Sequence, residues 1–106
     1  MSRTITPNEL KPLVEKRAVT VFDVRRQDDY DADKVKLPGA EWMNPDQLAD
    51  WGAKLPNETE IVIYCARGGS VSNSVLNVLL GKGLKARFIE RGIEGWKGAG
   101  GETIEK

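Results

Sequence analysis

One cysteine, Cys65, stands in the stretch Ile61-Val62-Ile63-Tyr64-Cys65-Ala66-Arg67-Gly68-Gly69-Ser70-Val71-Ser72. In its thiolate form a cysteine is a strong nucleophile, so this stretch is where covalent chemistry is sought first. The apolar, β-branched run before the thiol reads as a buried strand. Beyond the two glycines and two serines, Val71, Val75, Leu76, Val78, Leu79 and Leu80 recur at helical spacing. The order is strand, tight loop, helix, with the thiol at the strand's end. Backbone N–H groups of such a loop converge on one point, and the helix N-terminus adds partial positive charge there. That setting, with Arg67 two residues on, favours thiolate over thiol. Gly68 and Gly69 permit backbone angles that other residues avoid. Ser70 offers a hydroxyl, and Ser72 is expected to cap the helix. The alternative is a small buried hydrophobe at Cys65 and a plain surface charge at Arg67.

What is missing narrows the chemistry further. The chain has no histidine, which removes Cys-His and Ser-His dyads, histidine general bases and histidine metal ligands. A lone cysteine forms no internal disulfide, and a zinc site would have to rest on carboxylates. Asp28, Asp29, Asp31 and Asp33 lack the glycine and terminal glutamate of a calcium loop. No metal and no cofactor are expected.

At 106 residues the chain is expected to form one domain, with a core over about residues 4–100 and a short C-terminal tail. Its 40 % apolar and 30 % charged residues fit a globular protein rather than a disordered one. Zero net charge gives no general attraction to nucleic acid or to membranes. The charge is uneven, however. Residues 1–60 carry 9 basic and 12 acidic side chains, and residues 61–106 carry 7 and 4. Between Ile61 and Ile89 there is no acid, so the half with Cys65 is expected to be electropositive and suited to an anion. The N-terminus, from Met1 and Ser2 to Thr6, lacks the apolar core of a signal peptide, and no run approaches spanning length. A cytoplasmic protein is expected.

The supporting elements follow in order. Thr6-Pro7-Asn8-Glu9 reads as a capping box opening a short helix whose face is Leu10, Leu13 and Val14. Residues 18–24 read as a strand ending near Asp23 and Arg25, which either face a ligand crevice or pair with each other. The densely charged residues 26–36 predict a solvated helix and loop. Leu37-Pro38-Gly39-Ala40 is a turn, and Glu41-Trp42-Met43 a short strand. Asn44-Pro45 opens a helix through Leu48, Ala49 and Trp51, closed by Gly52 and Pro56-Asn57. Gly81-Lys82-Gly83 ends the helix after the cysteine loop, and residues 84–89 form another strand. Trp96 reads as a core anchor. Tyr30, Trp42 and Trp51 suit either an interface or the core. Strands alternating with helices predict an α/β fold with a parallel sheet covered on both faces.

Four motifs in this order resemble a single-domain rhodanese, a sulfurtransferase family: Asp23-Val24-Arg25, Leu37-Pro38-Gly39-Ala40, Val62-Ile63-Tyr64-Cys65 with its glycine loop, and Gly92-Ile93-Glu94-Gly95-Trp96. The resemblance runs from the first helix to about Gly100. It implies a five-stranded, mostly parallel sheet. It also implies a Cys65 persulfide, loaded with sulfane sulfur from a small sulfur-containing anion such as thiosulfate, or from a persulfide, and unloaded to cyanide or a thiol. The backbone N–H groups of Ala66, Arg67, Gly68, Gly69, Ser70 and Val71 would cradle the anionic sulfur. A protein sulfur acceptor is also in keeping with small family members. Two positions depart from the family. Ser70 stands where many members have an arginine, and Lys36 where a histidine is common. Arg67 would supply charge in place of the first, as in members with a Cys-x-Arg-Gly loop. A Cys-x5-Arg phosphatase loop is excluded, since its arginine would be Val71. Because sulfite is a weakly basic leaving group, sulfur transfer needs no general acid, which fits a chain without histidine. The other class consistent with the resemblance is a non-catalytic rhodanese-like module that binds a partner or senses redox state.

Overall fold

A computed structural model describes residues 3–55 and 58–106. The expected central strand is observed as β5 (Ile61–Tyr64), with every residue buried. It lies in the middle of a five-stranded sheet with β1 (Thr4–Ile5), β2 (Thr20–Asp23), β4 (Glu41–Trp42) and β6 (Ala86–Ile89), in the order β1-β6-β5-β2-β4. All four pairings are parallel. A strand with neighbours on both sides and helices on both faces must be apolar throughout, which is why Ile61 to Tyr64 shows no alternation.

The two faces separate by the period of two that a strand imposes. Ile61 and Ile63 join Phe22, Val24 and Phe88 on one side, covered by Val75, Leu76 and Leu79 of α4 (Ser70–Gly81). On the same side pack Leu48 and Trp51 of α3 (Leu48–Gly52). Val62 and Tyr64 join Val21 and Ile89 on the other side. There Leu10 of α1 (Pro7–Glu15) and Ile93 and Trp96 of α5 (Gly92–Gly98) close the core. Trp96 is buried, and its indole N–H donates to the Glu102 carbonyl at 2.7 Å, so it anchors the core.

The capping box is present in full. The Glu9 N–H donates to Thr6 Oγ1 at 3.1 Å, and the Thr6 N–H to Glu9 Oε1 at 3.0 Å. The charged segment forms α2 (Gln27–Ala32), with no buried residue. The helix expected from Asn44 is split into a 3-10 turn, Pro45–Gln47, and the short α3. Asn44 Oδ1 accepts the Asp46 N–H at 3.0 Å, and the Asn44 carbonyl accepts the Trp51 indole N–H at 2.7 Å, holding the tight first turn. The proposed closure at Pro56-Asn57 and the Met1-Ser2 terminus lie outside the described residues.

Three strands were not anticipated. β1 forms the sheet edge beside β6, and β3 (Val35–Lys36) pairs antiparallel with β7 (Ile104–Glu105). The stretch after Gly100, expected as a tail, therefore folds back onto the segment that follows α2. Ser72 also departs from expectation. The helix begins at Ser70 with Gly69 at its cap, so Ser72 lies inside the first turn, fully buried, with an Oγ that has no hydrogen-bond partner. Among the described residues no helix is long and apolar enough to cross a membrane.

Candidate active site

Cys65 follows β5 directly, at the carboxyl end of the parallel sheet, where open α/β folds form their ligand crevices. The residue is 6 % exposed and lies in the wall of a cleft of about 810 Å³. Ala66, Arg67, Gly69, Ser70 and Val71 line the same cleft, so the loop residues singled out in the sequence come together around the thiol. Gly68 is the exception. It supports the loop from behind, where a Cβ would lie 2.8 Å from the Arg91 nitrogen, and its φ of +68° is one that glycine adopts freely.

The first turn of α5 holds the loop in place. The Ile93 N–H donates to the Cys65 carbonyl at 3.0 Å, and the Glu94 N–H to the Ala66 carbonyl at 3.2 Å. This close approach requires Gly92, with φ +58°, since a Cβ there would sit 2.2 Å from the Cys65 carbonyl oxygen. With the two carbonyls turned toward α5, the following amides are left over. Among the described residues, the N–H groups from Ala66 to Ser72 donate to no backbone or side-chain acceptor outside α4, and those of Ser70 to Ser72 belong to a helix's first turn. Unpaired donors in a loop that lines the cleft with the thiol suit an anion, because free N–H groups and a helix N-terminus both favour negative charge.

The rest of the lining comes from α2 and α5, with Asp29 from the first, Arg26 and Asp33 from the residues that flank it, and Glu94 and Lys97 from the second. These residues were missed as site residues in the sequence. The only signal for them was the Gly92-Ile93-Glu94-Gly95 motif, whose role is visible once Gly92 is seen against Cys65. They also change the electrostatics. The acid-free run from Ile61 to Ile89 suggested a basic site, but distant segments bring Asp29, Asp33 and Glu94 to the same cleft.

Asp23 and Arg25 resolve in favour of pairing, although Arg25 also borders the cleft. Arg25 is 1 % exposed, and its Nη2 lies 2.6 Å from Asp23 Oδ2. Its Nη1 reaches Asp33 Oδ2 at 3.0 Å, and Lys97 Nζ meets the same oxygen at 2.8 Å. Burial opposes the Arg25 charge, but the hydrogen bonds and charge of Asp23 outweigh it and hold the guanidinium above its ordinary pKa. Burial likewise opposes ionised Asp33, yet the hydrogen bonds from Lys97 and the Val35 N–H, with the Lys97 and Arg25 charges, hold its pKa down. The Tyr64 hydroxyl donates to Asp23 Oδ2 at 3.2 Å. Burial and the Asp23 charge push its pKa far up, so it remains a donor. One network thus ties β2, β5, α2 and α5 together beneath the cleft.

Two further expectations find their places outside the site. Lys36 donates from Nζ to the Ala40 carbonyl at 2.8 Å, which braces the Pro38-Gly39 turn. Trp42 donates to the Arg25 carbonyl at 2.9 Å and stacks on Tyr30 with centroids 4.6 Å apart, and Trp51 packs against Phe22.

Residues 6–99 match the family model described as a rhodanese-like domain. The chain is 32 % identical over 98 residues to thiosulfate sulfurtransferase GlpE of Coxiella burnetii, a match spanning 92 % of this chain and 89 % of that protein. Among solved structures, it is similar to a rhodanese-like domain protein from Staphylococcus aureus, with 27 % identity, a TM-score of 0.80 and 99 % of each chain covered. A rhodanese-related protein from Thermoplasma volcanium superposes with a TM-score of 0.86 over 99 % of this chain and all of that one. At 22 % identity, that likeness concerns the fold.

Proposed function

The chain belongs to the rhodanese-like domain family, and from this we propose that it is a sulfurtransferase carrying sulfane sulfur on Cys65. The observation that carries the reading is the run of unpaired amides from Ala66 to Val71 in the loop that follows a thiol at the carboxyl end of β5. Such donors suit the anionic outer sulfur of a persulfide on Cys65. The match to a thiosulfate sulfurtransferase supports the same chemistry.

The Cys65 thiolate attacks the outer sulfur of the donor. The Sγ–S bond forms as the donor's S–S bond breaks, and the leaving group departs with the electron pair, as sulfite from thiosulfate or as a thiolate from a persulfide. An acceptor then attacks the outer sulfur of the persulfide and returns the Cys65 thiolate. Cyanide leaves as thiocyanate, and a small thiol or a protein thiol leaves as a persulfide. Neither step needs a general acid, a metal or a cofactor, in keeping with a chain without histidine. Arg67 supplies the cation that Ser70 does not, from the cleft-lining loop two residues after the nucleophile. A lone cysteine and no internal disulfide fit a reducing compartment such as the cytoplasm.

The test is thiocyanate formation from cyanide with either thiosulfate or glutathione persulfide as donor. The wild-type chain is expected to turn over with at least one donor, and Cys65→Ser to fall to background. Turnover with neither donor would favour a non-catalytic rhodanese-like module, and turnover undiminished in Cys65→Ser would remove the thiol from the mechanism.

A further inference from the structure

A second groove lies at the other end of the sheet from Cys65. Strands β2 and β5 run parallel, so the residues that enter β2 stand at the end opposite the thiol. Arg17, Val19, Thr20 and Val21 border the groove there, together with Val14 of α1 and the Pro38-Gly39 turn. Its volume is about 500 Å³, within the roughly 300–1,000 Å³ typical of small-molecule sites. None of these residues borders the cysteine cleft.

The floor of the groove is apolar. Val14 and Val19 are half-buried against the core cluster that holds Val21, and Pro38 is half-buried as well. Among the described residues Arg17 is the one charged group around it. Arg17 is exposed, and its guanidinium makes no hydrogen bond or ion pair among the described residues. Past Val14, Arg17 and Pro38 the groove continues into an arm of about 340 Å³ beside Trp96. In that arm Lys11 is committed to the Ala99 carbonyl, while Glu15 and Glu102 stand exposed.

The end of α1 gives independent weight to the arginine. The helix closes with the Arg17 N–H on the Val14 carbonyl at 3.1 Å and the Ala18 N–H on the Leu13 carbonyl at 2.9 Å. This closure puts Arg17 at φ +53°, the left-handed position that helix ends ordinarily give to glycine. An arginine is strained there, and the closure uses only its backbone. What the side chain adds is a cation at the rim of an apolar floor.

We propose that this groove is a binding site for a small monocarboxylate with an apolar body. The carboxylate pairs with Arg17, and the hydrocarbon lies against Val14, Val19, Val21 and Pro38. Glu15 and Glu102 keep a second negative charge out of the adjoining arm. The site is separate from sulfur transfer and stands whether or not Cys65 carries sulfur.

Isothermal titration calorimetry with octanoate, octan-1-ol and suberate tests the site in the wild type, Arg17→Gln, Arg17→Gly and Arg67→Gln. Octanoate is expected to bind the wild type in equimolar ratio. Arg17→Gln is expected to weaken octanoate about two- to five-fold, the range for an exposed ion pair, and to leave octan-1-ol unchanged. Arg17→Gly is expected to lose octanoate to a similar extent with a Tm at or above that of the wild type, because glycine relieves the left-handed strain. Suberate, the same chain with a carboxylate at each end, is expected to bind more weakly than octanoate. Arg67→Gln is expected to change nothing, which sets the groove apart from the cysteine cleft. The proposal is overturned if octanoate does not bind, or if Arg17→Gln weakens octan-1-ol as much as octanoate. It is equally overturned if suberate binds as tightly as octanoate, if Arg17→Gly melts below the wild type, or if Arg67→Gln rather than Arg17→Gln weakens octanoate.

Discussion

Replacing Gly92 by alanine should damage both the fold and the site, by an amount that can be worked out from one contact. The backbone there has φ +58°, and the left-handed conformation costs a non-glycine residue about 1–2 kcal/mol. The added Cβ would lie 2.2 Å from the Cys65 carbonyl oxygen and 2.8 Å from the Ala66 carbonyl carbon. Because both are backbone atoms, no side chain can rotate away, and α5 must retreat from the loop by about 1 Å to restore ordinary contact. That movement breaks the bonds from Ile93 and Glu94 to the Cys65 and Ala66 carbonyls, each worth about 1 kcal/mol. The total is about 3–4 kcal/mol, and for a chain of this size that lowers Tm by roughly 12–16 °C at about 4 °C per kcal/mol. Thermal unfolding followed by circular dichroism reads this directly. Gly98→Ala is the control, since a Cβ there meets nothing within 4 Å, and it should stay within about 0.5 kcal/mol of the wild type. Sulfur loading of Gly92→Ala, measured well below its Tm, should fall by about a hundred-fold from misplacement of the thiol. A Tm within a few degrees of the wild type would refute the claim that α5 is clamped to the cysteine loop through this glycine.

Three other perturbations address the rest of the framework. Asp23→Ala leaves Arg25 buried without its main partner and takes the acceptor from Tyr64, and should cost about 3–5 kcal/mol in urea unfolding. Ser72→Ala removes a buried hydroxyl with no partner and should raise stability by about 1 kcal/mol, read as a higher urea midpoint at unchanged m. Asp33 has a folded pKa below its unfolded value, so its contribution to stability is present above that unfolded value of 3.8 and is lost as pH falls through the folded pKa. The wild type should therefore exceed Asp33→Asn by about 1 kcal/mol at pH 7, with the difference closing below about pH 4 in pH-dependent melts.

The sequence made the central strand, the cysteine loop and α4 legible because each leaves a local mark. Ile61 to Tyr64 is unbroken and β-branched, the loop has two glycines, and α4 repeats its apolar residues every three to four positions. The Thr6 capping box was equally plain, since its partners are three residues apart. What escaped depends on distance along the chain. β1, β3 and β7 have two residues each, too few to show any period, and exist because another segment offers an edge. The pairing of Asp23 with Arg25 is local and was readable, but the links from Asp33 to Arg25 and Lys97 join the end of α2 to the loop after β2 and to α5. For the same reason the acid-free run around Cys65 showed only part of the cleft, whose carboxylates come from residues 29, 33 and 94. Ser72 was misassigned because a serine near a helix start is usually a cap. Here the glycine before Ser70 takes that position, and the serine turns inward.

The claim that Cys65 carries sulfur is tested most directly by intact mass after incubation with thiosulfate and, separately, with glutathione persulfide. A gain of one sulfur atom is predicted, absent in Cys65→Ser and reversed by cyanide with release of thiocyanate. No gain from either donor, or a gain that persists in Cys65→Ser, would contradict it.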